Sequence, residues 1–307
     1  MIVSGSIKER HMISVAMATY NGERFVKEQI DSILSQTIED IELVVCDDCS
    51  TDTTWDILNE YAMQDMRVHI YRNDHNLGYK NNFEKAIRLC RGDFIALSDQ
   101  DDIWFDRHLE ILSAGIGEND LIGGNVVFMD ENGTVLEGNF KDALAFDRIP
   151  AQLVDLSYTM LFFRNVFQGA SLLMRRTFAL AHLPISDNVP LHDFWYGLIA
   201  SLQGKAVYTF QTISYYRRHA KAQMEHQEQR ISWSSFMLSQ LKYGSTYNME
   251  RAHKVIKEIR KRGIKVDEKG EQIIREFETF LDGNHGIIGR LRNMYFLLTH
   301  FHLIYTR

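Results

Sequence analysis

The chain reads as an α/β protein built around a mostly parallel central sheet flanked by helices, and three observations predict it. Short apolar runs alternate with helix-period patterns through the first 110 of 307 residues. Several of those runs end in a polar cluster, and only three prolines occur in the whole chain. Repeated strand–helix units imply right-handed crossovers, and in such sheets ligands bind at the carboxyl ends of the strands.

In order, Ile13–Ala18 is a buried strand run, followed by the turn Thr19-Tyr20-Asn21-Gly22 and a helix with Phe25, Ile30, Ile33 and Leu34 on one face. Ile41–Cys46 is the second strand. Ser50-Thr51-Asp52 opens the next helix, where a hydroxyl or carboxylate can cap free N–H groups, and Trp55, Leu58 and Tyr61 form its stripe. Arg67–Arg72, Asn81–Cys90 and Asp93–Leu97 continue as strand, helix and strand. Beyond Glu110 the alternation loosens. Leu121–Met129 reads as a strand before a turn, Leu153–Phe167 as an amphipathic helix or a loop over the site, and Gly169–Met174 as a strand. His192–Leu202 reads as a helix, Val207–Tyr216 as one or two strands, and the chain from about Ile231 as helical, with Lys254, Lys257 and Lys261 facing water. The division expected is one domain over 1–225, with a nucleotide-binding half 12–110 and an acceptor half 111–225, then a helical extension over 226–307.

Composition narrows the classes. Apolar residues make up 45% and aromatics 11%, enough for a sizeable core. Three cysteines are too few for a disulfide framework, and Cys46-x-x-Cys49 has no second pair to complete a zinc tetrad. Cys46 is expected to be a buried strand residue. From Lys242 onward there are 13 Lys/Arg against 8 Asp/Glu, whereas the rest of the chain holds 21 against 33. An acidic body with a basic tail is not a nucleic-acid-binding profile, but its basic end suits anionic lipid. Met1–His11 shows no secretory signal, and no apolar run reaches the ~18 residues of a membrane span. A cytoplasmic protein is the expectation.

The densest chemistry is Ser98-Asp99-Gln100-Asp101-Asp102, three carboxylates in four residues after an apolar strand. Like charges so close repel, and a divalent cation carrying phosphate oxygens would relieve them. Upstream lie Ala18-Thr19-Tyr20-Asn21, Val45-Cys46-Asp47-Asp48-Cys49-Ser50-Thr51-Asp52 and Asn76-Leu77-Gly78. In order and spacing these four segments resemble family-2 glycosyltransferases, inverting nucleotide-sugar enzymes of the GT-A fold, over roughly residues 12–220. Leu191-His192-Asp193-Phe194-Trp195 and Tyr215-Tyr216-Arg217-Arg218-His219 are similar to a rhamnosyltransferase-like branch that builds cell-surface polysaccharides.

The resemblance implies roles. Asp48 accepts from a pyrimidine N3–H, Thr19, Tyr20 and Asn21 shape the base pocket, and Asn76 and Gly78 flank the nucleotide. Asp99 contacts the ribose, Asp101 ligates Mg²⁺ or Mn²⁺, and Asp102 caps a following helix. Asp193 is the general base, with its helix N-cap as the structural alternative. His219 ligates the metal or meets the β-phosphate, Arg217 and Arg218 bind phosphate, and Gln168-Gly169-Ala170-Ser171 lies near the sugars, where a glycine permits close backbone approach. The donor implied is a UDP- or dTDP-sugar, dTDP-L-rhamnose among them, and the acceptor a glycan or lipid-linked glycan. Two rival classes share parts of this pattern. A nucleotidyltransferase needs a glycine-rich basic loop, yet residues 18–24 hold one Gly and one Arg. A dead sugar-nucleotide-binding module has no need of Asp193. Finally, Ile287–Leu298 mixes basic and apolar residues. It reads either as an amphipathic helix in a membrane interface or as one docked on the body through Leu291, Tyr295 and Leu298.

Overall fold

The strand β1 (Ile13–Thr19) is buried along almost its whole length, as its apolar run requires of a strand covered on both faces. The structure is a computed structural model that describes residues 11–140, 155–187, 189, 191–218, 247–282 and 286–300. The strands β2 (Ile41–Asp47), β3 (Val68–Arg72) and β4 (Phe94–Ser98) join β1 in the parallel order β3-β2-β1-β4. The crossovers are α1 (Val26–Leu34), α2 (Thr54–Gln64) and α3 (Tyr79–Leu89). The expected helix start at Ser50–Asp52 is realised by Asp52, whose Oδ1 accepts from the Thr54 N–H at 3.0 Å.

The second half of the sheet departs from the parallel expectation. After β5 (Ile103–Trp104) and α4 (His108–Gly115) come β6 (Leu121–Asp130) and β7 (Val135–Asn139), joined by a tight turn that forces antiparallel pairing. A short helix, α5 (Leu156–Tyr158), runs on into a wider helical turn at Thr159–Phe163. One 3₁₀ turn at Gly169–Ser171 precedes β8 (Leu172–Arg175), so the predicted strand there starts later than expected. β8 lies antiparallel between β4 and β6, and β9 (Ala206–Arg218) pairs parallel to β6 and antiparallel to β5.

Two helices follow β8, α6 (Arg176–Ala181) and α7 (His192–Leu202). Every residue of α7 is buried, as expected of a helix without a polar face. The extension forms α8 (Tyr247–Arg262), α9 (Glu268–Asp282) and α10 (Gly286–His300). Lys254, Lys257 and Lys261 are exposed, as read from the sequence. The extension is not a loose appendage: Met249, Val255, Ile259, Ile273, Phe277 and Leu297 share one core with Phe162, Phe194 and Leu198.

One sequence expectation is overturned here. α10 does not dock through Leu291, Tyr295 and Leu298, which are 47%, 69% and 50% exposed. It docks through buried Leu297 and Asn293, whose Nδ2 donates to the Phe280 carbonyl at 2.7 Å. The helix also turns a second apolar stripe, Ile288, Leu291, Tyr295 and Leu298, outward. Among the described residues no helix is long and apolar enough to cross a membrane.

Candidate active site at the strand carboxyl ends

Parallel pairing of β2, β1 and β4 brings the ends Asp47-Asp48, Thr19–Gly22 and Asp99–Asp102 to one edge of the sheet. The first two are knitted together by side chains. Asp47, fully buried, accepts from the Ser50 N–H at 3.0 Å, the Ser50 hydroxyl and the Thr19 hydroxyl at 3.1 Å. Asn21 holds φ 48°, and its Oδ1 accepts from the Thr51 N–H at 2.8 Å. Thr19 and Asn21 therefore build the floor of this edge, because their polar atoms already serve the protein. Tyr20, 47% exposed, is the member of that segment presented to a ligand.

Asp48 is 2% exposed, and its carboxylate accepts from Asn73 Nδ2 at 2.7 Å, the Leu77 N–H at 2.7 Å and the Gly78 N–H at 2.9 Å. Gly78 has φ 78°, the left-handed conformation expected of it, and Asn76 Oδ1 accepts from its N–H at 3.0 Å. Asp48 thus anchors the Asn76–Gly78 loop.

The acidic strand end divides by environment. Asp99 is raised to about 7, first by burial and then by the charges of Asp101 and Asp193. The charges of Asp101, at β4's end, and of Asp193, in α7, both act on Asp99. Asp102 is not the helix cap predicted: β5 follows it, and its Oδ1 accepts from the Arg217 N–H at 3.0 Å. Burial above all raises Asp102 well above the usual carboxylate range.

Asp193 lies in the first turn of α7, after the N-cap residue Leu191 rather than at the cap itself, and is 3% exposed. Burial pushes it up to about 6, against the opposing pull of Arg251, the Phe194 N–H at 2.6 Å and Asn165 Nδ2 at 3.1 Å. Asn165 and Arg251 were not singled out in the sequence. Arg251 belongs to the extension and lies 4.5 Å over the Phe194 ring, a long-range contact no local pattern encodes. Beside Asp193, His192 packs 4.4 Å from the Phe83 ring, and burial lowers it to about 4. A Cβ on Gly169 would lie 2.5 Å from His192 Nε2, so this glycine makes room for the imidazole.

Arg217 corrects the sequence reading. It is 3% exposed; its Nε donates to the Asp101 carbonyl at 2.7 Å and its guanidinium pairs with Glu28 at 2.6 Å. A guanidinium so committed, with its face 4.5 Å over the Phe25 ring, is a brace for the acidic loop rather than a phosphate ligand. Arg218 lies 3.7 Å over the Phe128 ring, on the sheet, instead of standing free for phosphate. His219 falls outside the described residues. Cys46 is the buried strand residue expected, and burial raises its thiol to about 12.

Among the described residues no group of three or more His, Cys, Asp or Glu converges as a metal cage. The donor chemistry still fits a hard cation. Mg²⁺ or Mn²⁺ sites built around phosphates use one or two carboxylates, and the mutual repulsion of Asp99, Asp101 and Asp193 is what such an ion would relieve.

A parallel half-sheet, an acidic strand end and a buried acid in the following half are the parts of a glycosyltransferase-like scaffold. The profile of glycosyl transferase family 2 matches residues 14–167, and the chain belongs to that family. Among curated relatives, an uncharacterized glycosyltransferase of Methanocaldococcus jannaschii is 37% identical over 134 residues, covering 42% of this chain and 46% of that protein. A glucosyltransferase of Escherichia coli, named for UDP-glucose and a GlcNAc-diphosphoundecaprenol acceptor, is 37% identical over 93 residues, 30% of this chain and 36% of its own length. The chain thus spans less than half the length of these two relatives. Staphylococcus aureus TarS 1–349 with UDP-GlcNAc superimposes with a TM-score of 0.56 at 18% identity, over 95% of this chain and 91% of that one. A Pyrobaculum calidifontis mannosyltransferase with GDP-mannose and Mn²⁺ gives 0.53 at 12% identity, over 94% and 88%. The fold is accordingly GT-A-like.

Proposed function

We propose that this chain is a metal-assisted inverting glycosyltransferase. It moves a sugar from a UDP- or dTDP-sugar, dTDP-L-rhamnose being the donor favoured by Tyr216-Arg217-Arg218-His219, onto a hydroxyl of a glycan or lipid-linked glycan. The observation that carries this reading is the buried Asp193 carboxyl, raised to about 6, whose charge reaches Asp99 at the strand end. A base needs a pKa near the operating pH and a position opposite the leaving group. Asp193 takes the proton of the acceptor hydroxyl as the new C–O bond forms at the anomeric carbon and the bond to the diphosphate breaks. Asp101 would hold the cation. When bound, it supplies positive charge against the departing diphosphate. Tyr20 supports the base and Asp99 the ribose; Asp48 supports the pocket through the Asn76–Gly78 loop. The nucleotide sugars bound in the two superimposed structures, UDP-GlcNAc and GDP-mannose, support a nucleotide-sugar donor.

The test is release of UDP or dTDP from a donor panel with Mn²⁺. Asp101→Ala is expected to lower the Mn²⁺-dependent rate by about 10²-fold or more, a magnitude typical of losing an electrostatic group aimed at developing charge. An unchanged rate would refute the role of Asp101.

A lipid surface is part of the same reading. Ile288, Leu291, Tyr295 and Leu298 lie at helical spacing on the outward side of α10, and Ile288 is 81% exposed. Exposed Arg292 borders them, and α10 contains no acidic residue. An outward apolar stripe with arginine suits the headgroup region of an anionic bilayer, where a lipid-linked acceptor would reside. The full chain is expected to float with phosphatidylglycerol vesicles. The double variant Ile288→Gln, Tyr295→Gln, which touches no buried position, should lose most of that binding; equal flotation would sink the idea.

A further inference from the structure

Gln100 stands between the two acids of the Asp99-x-Asp101 pattern, and its side chain does not point at a ligand. It reaches from the end of β4 to the end of β1. Its Oε1 accepts from the Tyr20 N–H at 2.9 Å, and its Nε2 donates to the Tyr20 carbonyl at 3.1 Å. A primary amide carries donor and acceptor on one edge, as a peptide unit does, so the pair closes a ring of two hydrogen bonds with a single residue of the neighbouring loop. No other neutral side chain but Asn offers that edge, and Asn is one methylene shorter.

Gly22 independently marks this seat. A Cβ built there would lie 2.2 Å from Gln100 Oε1 and 2.5 Å from its Cδ. Gly22 is not among the residues with positive φ, so backbone conformation does not require glycine. The space for the Gln100 amide does.

The rest of each loop is fixed from its own far side. Asn21 donates its N–H to the Ser50 hydroxyl at 2.9 Å and Gly22 donates to the Thr54 hydroxyl at 2.8 Å, tying the β1 loop to the β2 end. Arg217 ties Asp101 and Asp102 to β9. Gln100 is the side-chain link across the gap between them, on the side where Tyr20 is exposed.

We propose that Gln100 is the positioning residue that sets the distance between the nucleoside-base platform at Tyr20 and the strand end that carries the ribose acid Asp99 and the cation acid Asp101. Through it, the base and the diphosphate of one donor are bound as a single rigid object, and the enzyme favours a complete nucleotide over a bare diphosphate. This rests on the nucleotide-sugar reading above and assigns that site an internal ruler.

The experiment compares UDP, dTDP and GDP with inorganic pyrophosphate, each titrated in Mn²⁺ by calorimetry, for the wild-type chain, Gln100→Ala, Gln100→Glu and Gly22→Ala. The preferred nucleotide is expected to lose about tenfold in affinity in Gln100→Ala, the worth of one to two hydrogen bonds, while pyrophosphate changes by less than about twofold. Gly22→Ala should reproduce that split without altering Gln100, because its methyl evicts the amide. Gln100→Glu, which cannot donate to the Tyr20 carbonyl, should not restore the ratio. Parallel losses for nucleotide and pyrophosphate, or wild-type ratios in both Gln100→Ala and Gly22→Ala, would overturn the ruler and leave the donor site standing. A wild-type chain that binds none of the nucleotides would instead overturn the donor reading, and this inference with it.

Discussion

Asp193→Asn is expected to lower kcat by about 10²–10⁴-fold while leaving the donor KM within about threefold, because the group acts on the acceptor proton and not on the nucleotide. The side chain keeps its size, and its oxygen can still accept from the Phe194 N–H. The new amide, however, meets the Asn165 amide that now donates to Asp193 Oδ2 at 3.1 Å, so Asn165 must turn over. The pH dependence follows from burial. A base works only when deprotonated, so kcat/KM of the wild-type chain should fall as pH drops through about 6, the value to which burial raises Asp193. An ordinary exposed Asp would place that limb near 4. In the variant the limb should vanish. Steady-state rates between pH 5 and 8 on both proteins check this, and a variant that retains both rate and limb would remove Asp193 from the reaction.

The parts legible in the sequence were those set by local chemistry. Burial of Ile13–Thr19 and Ile41–Asp47 on both faces follows from their largely apolar runs, and the strand ends gather where parallel pairing puts them. The acids at those ends were legible as a set, since three carboxylates after a strand have few cheap explanations. What each polar atom does was not legible. Arg217 and Glu28 are far apart in sequence, and only the sheet shows that the guanidinium serves Glu28 and the Asp101 carbonyl. Thr19 and Asn21 match the family pattern but spend their side chains on Asp47 and Thr51. Asp102 ends as a tie to β9 because β5 follows it where a helix was expected. The orientation of α10 was missed for a related reason. Apolar residues lie all round that helix, so its pattern does not say which stripe docks; Asn293 reaching the Phe280 carbonyl decides it.

Phe162→Ala tests whether the C-terminal helices and the catalytic half are one cooperative body. The ring is fully buried and stands 5.6 Å from Tyr158, 5.2 Å from Phe277, 5.4 Å from Phe280 and 5.3 Å from Phe296. It therefore joins the turn after α5 to both α9 and α10. Truncating such a ring removes its transfer free energy and leaves a cavity, a loss of about 3–5 kcal/mol. The effect should not stop at the extension. Arg262 of α8 lies 5.0 Å over the Trp195 ring, and Arg251 of the same helix lies over Phe194, beside Asp193. Loosening the extension should therefore shift the emission of buried Trp195 and lower kcat together, in one urea transition moved to lower concentration. Two separate transitions, the first leaving Trp195 emission and turnover untouched, would show that the extension folds apart from the site it flanks.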